Sequence, residues 1–180
     1  MVTLSKSEID VIKKAIKDLA KELMEIYDAG DFGVSLKGGN SPVTKADTLA
    51  NNRLSELLKE RFPYPVISEE DPNRPALNNG ACWVIDPLDG TKNFIEKDKE
   101  FSTIIALVED RRPIFGLVYD VYNNVMYFAS KDCGCFREKN GIIEKCAIDN
   151  EARKTDMVVS KHHFTELDKK LTEQVDNEDF

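Results

Sequence analysis

Apolar residues recur at three- and four-residue steps near the start of the chain: Ile9, Ile12, Ile16, Leu19 and Leu23, filled in by Ala15, Ala20 and Tyr27. This spacing predicts an amphipathic helix ending near Tyr27, and Ser5 followed by Glu8 supplies a capping box at its start. Residues 30–42 contain four glycines, Asn40, Ser41 and Pro42, with Lys37 among them, so the pattern predicts a mobile loop. From about Thr44 the spacing of Leu49, Leu54, Leu57, Leu58 and Phe62 predicts a second helix, stopped by Pro63 and Pro65.

Beyond Pro65 the period changes. Short apolar runs separated by turn residues predict strands at Pro65–Ser68, Cys82–Asp86, Thr103–Glu109, Ile114–Asp120, Val125–Ala129, Cys133–Arg137, Ile142–Ala147 and Met157–Ser160. Asp110–Pro113, Tyr122–Asn124 and Lys139–Gly141 are short enough for hairpin turns, so much of the sheet is expected to be antiparallel. The two helices would cover one face, which gives an α+β layered fold. The stretch Phe164–Phe180 begins a helical pattern at Leu167 and Leu171 without a following strand.

Composition narrows the function classes. The 180 residues include 33 acidic and 25 basic side chains, and the net charge of −8 argues against a general binder of nucleic-acid polymers or anionic membranes. An acidic protein that handles anions needs metal ions to do so. With 41% hydrophobic and 32% charged residues the composition is that of a folded globular protein rather than a disordered one. Four cysteines, with only Cys133 and Cys135 close together, are too few for a disulfide scaffold and read as reduced thiols. No apolar run reaches the roughly 18 residues a membrane helix requires, so a cytoplasmic location is the expectation.

The densest chemical signal is Trp83-Val-Ile-Asp86-Pro-Leu-Asp89-Gly-Thr91, in which a strand runs into two carboxylates. Asp, Pro and Gly are common turn residues, so the segment also reads as a plain turn. Two like charges held together are costly unless a cation lies between them, and hard ions such as Mg²⁺ prefer this all-oxygen environment. Gly90 and Thr91 fall where a short helix would begin, so their amides could face a phosphate oxygen. Ser68-Glu69-Glu70-Asp71 closes the preceding strand, and if the two strands are neighbours Glu69 meets Asp86 and Asp89 at one edge. Glu70 and Asp71 read instead as a solvated charge run. Asp47, in Thr44-Lys45-Ala-Asp47, is what helix capping alone would favour.

In this order, Asp47, Glu69 and Asp86-Pro-Leu-Asp89-Gly-Thr91 resemble the lithium-sensitive, magnesium-dependent phosphatases of the inositol monophosphatase superfamily. The continuation Lys92-Asn93-Phe94-Ile95, then Glu100-Phe101-Ser102 and Gly116-Leu-Val-Tyr119, looks most like the 3′(2′),5′-bisphosphate nucleotidases, which release the 3′-phosphate of 3′-phosphoadenosine 5′-phosphate. The resemblance implies two or three Mg²⁺ ions, held by Glu69, Asp86, Asp89 and the Leu88 carbonyl. It also implies that Asp47 and Thr91 polarise the attacking water, and that Gly90, Thr91, Ser160 and His163 contact the substrate. Lys37 is a further candidate near the phosphate. The partner so implied is a small phosphorylated molecule, not a nucleic-acid polymer or a membrane.

Two departures qualify the resemblance. The nucleotidases usually carry an acidic residue where this chain has Asn93, which keeps an inositol mono- or polyphosphate phosphatase as the rival. The family also places a metal-binding Asp in a later Trp-Asp motif, whereas Trp83 is the only tryptophan here. The expectation is therefore an N-terminal α+β domain over 1–150 and the beginning of a C-terminal α/β domain over 151–180. Low phosphatase activity, or an inactive metal-binding fragment, is expected of this chain alone.

Overall fold

The computed structural model describes residues 2–37, 41–74 and 79–147, together with 165, 166 and 169. Helix α1 spans Lys6–Ala29 and begins in the expected capping box, with the Ser5 and Glu8 side chains each bonded to the other's backbone. Gly30, in the left-handed region at φ 71°, ends it by donating its N–H to the Ile26 carbonyl. Helix α2 spans Lys45–Arg61. Between them the expected loop carries a two-residue hairpin, β1 (Ser35–Leu36) against β2 (Pro42–Val43). Two residues are too few to show an alternating pattern in sequence.

Seven strands follow in one sheet, ordered β3-β4-β5-β6-β7-β8-β9. They are β3 (Val66–Ser68), β4 (Ala81–Asp89), β5 (Ser102–Glu109), β6 (Arg112–Asp120), β7 (Val125–Ser130), β8 (Gly134–Lys139) and β9 (Ile142–Cys146). Every neighbouring pair is antiparallel except β3 and β4, which run parallel. Thr91–Glu96 forms the short helix α3 between β4 and β5.

The α1 residues Ile12, Ile16, Leu19 and Leu23 and the α2 residues Ala50, Leu54 and Leu58 share one core with Trp83 and Ile85 of β4, Ile105 and Leu107 of β5, and Phe115 and Leu117 of β6. Alternate strand residues supply this inward face because a strand's side chains point to opposite sides in turn. An aromatic group fixes α3 to the core: Phe94 lies 4.8 Å from Phe101 and 5.2 Å from Tyr27, ring centre to ring centre. That contact sets where Gly90 and Thr91 sit.

The chain divides into two compact units, Met1–Cys146 and Ala147–Phe180. The strand expected at Met157–Ser160, the helical pattern at Leu167 and Leu171, and the candidates Ser160 and His163 lie outside the described residues. Among the described residues no helix is long and apolar enough to cross a membrane.

Candidate active site

Parallel pairing of β3 with β4 decides which acidic residues meet. Ser68 lies opposite Ile85, and the Glu69 N–H donates to the Ile85 carbonyl at 3.2 Å, so Glu69, just past the end of β3, comes beside Asp86 within β4. The carboxyl groups of Glu69 and Asp89 both lie near enough to Asp86 for their negative charges to act on it. Burial first, then Glu69, then Asp89 push the Asp86 carboxyl up to about 7. Two carboxyls in contact need either a shared proton or a cation. Asp89 itself is exposed and accepts from Ser102 Oγ at 3.4 Å, and among the described residues no three Asp, Glu, His or Cys side chains close into a ready ligand set.

The segment Asp86-Pro87-Leu88-Asp89 is not the free turn its composition suggests. It continues β4, with a shift of register against β5 between Asp86 and Asp89. Pro87 has no N–H to give a ladder, and the irregularity accommodates it inside the sheet. The buried Thr103 hydroxyl takes the Pro87 carbonyl at 2.9 Å and holds the distorted stretch from the neighbouring strand.

Asp47 serves its helix and the site together. It is fully buried, and its Oδ2 accepts from the Thr44 N–H at 2.7 Å and the Thr44 hydroxyl at 2.6 Å, completing the N-terminal cap of α2. Its Oδ1 accepts from the Thr91 hydroxyl at 2.9 Å. Capping, read from sequence as a competing explanation, is thus what aims the carboxylate at Thr91. The same hydroxyl lies 3.2 Å from the Leu88 carbonyl, a backbone oxygen directed to this point by the distorted end of β4.

Gly90 is required where it stands. Its φ is +84°, and a Cβ there would lie 2.6 Å from the Glu100 carbonyl oxygen. No side chain caps the start of α3.

One expectation needs correction. Glu70 is not part of a solvated run: its side chain is 9% exposed and it pairs with Lys37. Burial raises its carboxyl above the ordinary range, and Lys37 acts in the opposite direction. Lys37 is therefore neutralised by an acid beside Glu69. The Ser102 and Thr103 hydroxyls and the Asn93 amide were not singled out as working groups. Asn93 donates to Asp98 at 2.8 Å and so ties α3 to the turn at Lys97–Lys99, where both lysines have positive φ. An Asn shortly before a tight turn is the signal that could have indicated this.

Comparison with known proteins decides the family. The inositol monophosphatase family profile matches residues 5–177. The chain belongs to the inositol monophosphatase family. Within the family it is 35% identical over 159 residues to the 3′(2′),5′-bisphosphate nucleotidase CysQ of Escherichia coli O157:H7, covering 86% of this chain and 64% of that protein. It thus spans somewhat less than two thirds of that relative's length. The crystal structure of CysQ from Bacteroides thetaiotaomicron, a bacterial member of this family, superposes with a TM-score of 0.67 at 27% identity, over 89% of this chain and 65% of that one. An inositol monophosphatase from Thermotoga maritima gives a TM-score of 0.69 at 27% identity, over 81% and 55%. These likenesses agree with the helix-covered, mostly antiparallel sheet described above.

Proposed function

We propose that this chain carries the metal-binding and water-activating part of a magnesium-dependent phosphomonoesterase acting on 3′-phosphoadenosine 5′-phosphate. The observation that carries the reading is the Glu69–Asp86 carboxyl pair beside a Thr91 hydroxyl held between Asp47 and the Leu88 carbonyl. The donor set fits a hard divalent ion, since it offers carboxylate and carbonyl oxygens and no sulfur or imidazole. Glu69, Asp86, Asp89 and the Leu88 carbonyl would hold the metal, which supplies Lewis-acid polarisation of the phosphate and a water of lowered pKa. A related IMPase/NADP phosphatase, 25% identical with a TM-score of 0.62, has been crystallised with Mg²⁺ and phosphate.

The chain's own groups then divide the work. One hydroxyl hydrogen serves one acceptor, so with the Leu88 carbonyl committed as a ligand, Thr91 keeps its hydrogen bond to Asp47. That bond turns the Thr91 lone pairs toward the space where a water would stand, and the threonine orients the nucleophile without acting as a strong base. Asp47 is fixed by its cap, so the hydroxyl direction is set before substrate arrives. Gly90 lets the backbone pass close to Glu100 at the start of α3. Ser160 and His163 remain candidates for the nucleotide.

The likeness to CysQ favours the bisphosphate nucleotide as substrate. Asn93, standing where the nucleotidases usually carry an acid, keeps a second reading, an inositol phosphate phosphatase, and its amide donates to Asp98 at 2.8 Å. Lithium sensitivity, implied by the family resemblance, belongs to the same proposal, and so does low turnover by these 180 residues, in which no Trp-Asp pair is present. Phosphate release from 3′-phosphoadenosine 5′-phosphate and from inositol 1-phosphate, with Mg²⁺ and with added Li⁺, tests it. Slow release that favours the nucleotide, needs Mg²⁺, falls with Li⁺ and is absent from Asp86→Asn is the expected result. Release that persists in Asp86→Asn would place the chemistry elsewhere.

A further inference from the structure

Outside the acidic site, one pair of nucleophilic side chains is brought together by the sheet alone. Cys135 on β8 and Cys146 on β9 are direct partners across the antiparallel ladder. Opposed residues in such a pair have Cα atoms about 4.5–5.5 Å apart, inside the roughly 4.4–6.8 Å range that a disulfide spans. Their side chains share a face, because Arg137, two residues after Cys135, reaches Glu144, two residues before Cys146, at 3.4 Å. Phe136 points the other way and stacks on Phe128 at 5.5 Å between ring centres. Both thiols are part-exposed. Ala129, opposite Cys135 on β7, adds only a methyl group beside them.

We infer that Cys135 and Cys146 form a reversible cross-strand dithiol/disulfide pair that is oxidised by hydroperoxides. One sulfur attacks the peroxide, the O–O bond breaks, an alcohol or water leaves, and the sulfur becomes a sulfenic acid. The second sulfur attacks that acid, the S–O bond breaks, the S–S bond forms and water leaves. Two electrons pass from the thiols to the peroxide, and both thiol protons end in the products. Cys146 is the last residue of the first compact unit, and the pair closes the end of the β8–β9 ladder opposite the Asn140-Gly141 turn. The bond would staple β8 to β9 at the end of their ladder away from the turn. The inference rests on β8 and β9 and is independent of the phosphatase reading.

The 180-residue chain is treated with a few equivalents of tert-butyl hydroperoxide, its remaining thiols are alkylated, and the intact mass and peptide map are read. The expected result is a fall of about 2 Da before alkylation, a linked Cys135–Cys146 peptide, alkylated Cys82 and Cys133, and recovery with dithiothreitol. Hydrogen exchange at residues 142–146 should slow on oxidation. Cys133→Ser should keep the link, while Cys146→Ser should lose it and leave Cys135 trappable by dimedone. Four alkylated cysteines after treatment, a link through Cys133 in the unsubstituted chain, or the same mass loss in Cys146→Ser would overturn the inference.

Discussion

Glu138 and Asp86 occupy the same sheet and are treated in opposite ways. Glu138, on β8, is buried at 7% exposure and receives Lys13 and Lys17 from α1. Burial pushes its carboxyl up, but the hydrogen bond from Lys17 and the ion pair with Lys13 outweigh that and hold it below the ordinary range. Asp86, on β4, receives no cation from the described residues and instead faces Glu69 and Asp89, and burial and these neighbours push it up to about 7. Where an acid joins helix to sheet, the fold supplies the counter-charge from its own chain. At the β3–β4 end it gathers like charges and leaves the counter-charge to be brought in. Asp47 is a third arrangement, a fully buried carboxylate satisfied by an amide and two hydroxyls.

The contrast predicts opposite responses to removing charge. Glu138→Gln should cost the most, about 3 kcal/mol in urea or guanidinium unfolding, because it leaves the buried Lys13 ammonium without its partner. A loss below about 1 kcal/mol would mean that the two lysines do little for the fold. Asp47→Ala should cost about 2 kcal/mol by the same measurement, since it removes the cap of α2 and orphans the Thr91 and Thr44 hydroxyls. Asp86→Asn has the reverse sign. Without metal at pH 7 it should gain about 1 kcal/mol by removing one of the crowded charges, as neutralising a functional acid commonly does.

A smaller effect should appear in the pH profile of the metal-free protein. Unfolded Asp86 titrates near 3.8 and folded Asp86 at about 7, so between those values the folded chain holds a proton that the unfolded chain has lost. Stability from this group therefore falls as pH rises from about 4 to about 7. Glu138 acts the other way: its stabilisation is complete above its ordinary 4.5 and is lost as pH falls through its lower folded value. Thermal melts across this range should show both arms. Asp86→Asn should flatten the neutral arm, and Glu138→Gln the acidic one.

Much of this arrangement was legible in the residues. The 3.6-residue period gave α1 and α2, and the alternating runs after Pro65 gave every strand from β3 to β9 within two or three residues at each end. Position 69 could be tied to position 86 only on condition that two strands were neighbours, and the parallel β3–β4 register meets that condition. What escaped was set by tertiary contact. Pro87 reads as a turn residue in isolation, yet it continues a strand because Thr103 on β5 takes its carbonyl. Glu70 reads as solvated because Lys37, 33 residues earlier, gives no local sign of its approach. The Lys13–Glu138 pair joins elements too distant in sequence for any spacing rule to connect. Cys135 and Cys146 became partners only once the β8–β9 register was known.

The Glu69–Asp86 pair is read as the place of a divalent cation. A Mg²⁺ titration at pH 7 in weak buffer, followed by calorimetry and by proton release, tests that directly in the unsubstituted chain and in Asp86→Asn. With Asp86 at about 7, the unsubstituted chain should release about half a proton per ion bound, with tighter binding as pH rises. Asp86→Asn should release none and bind at least about tenfold more weakly. Equal binding and equal proton release in the two proteins would contradict it.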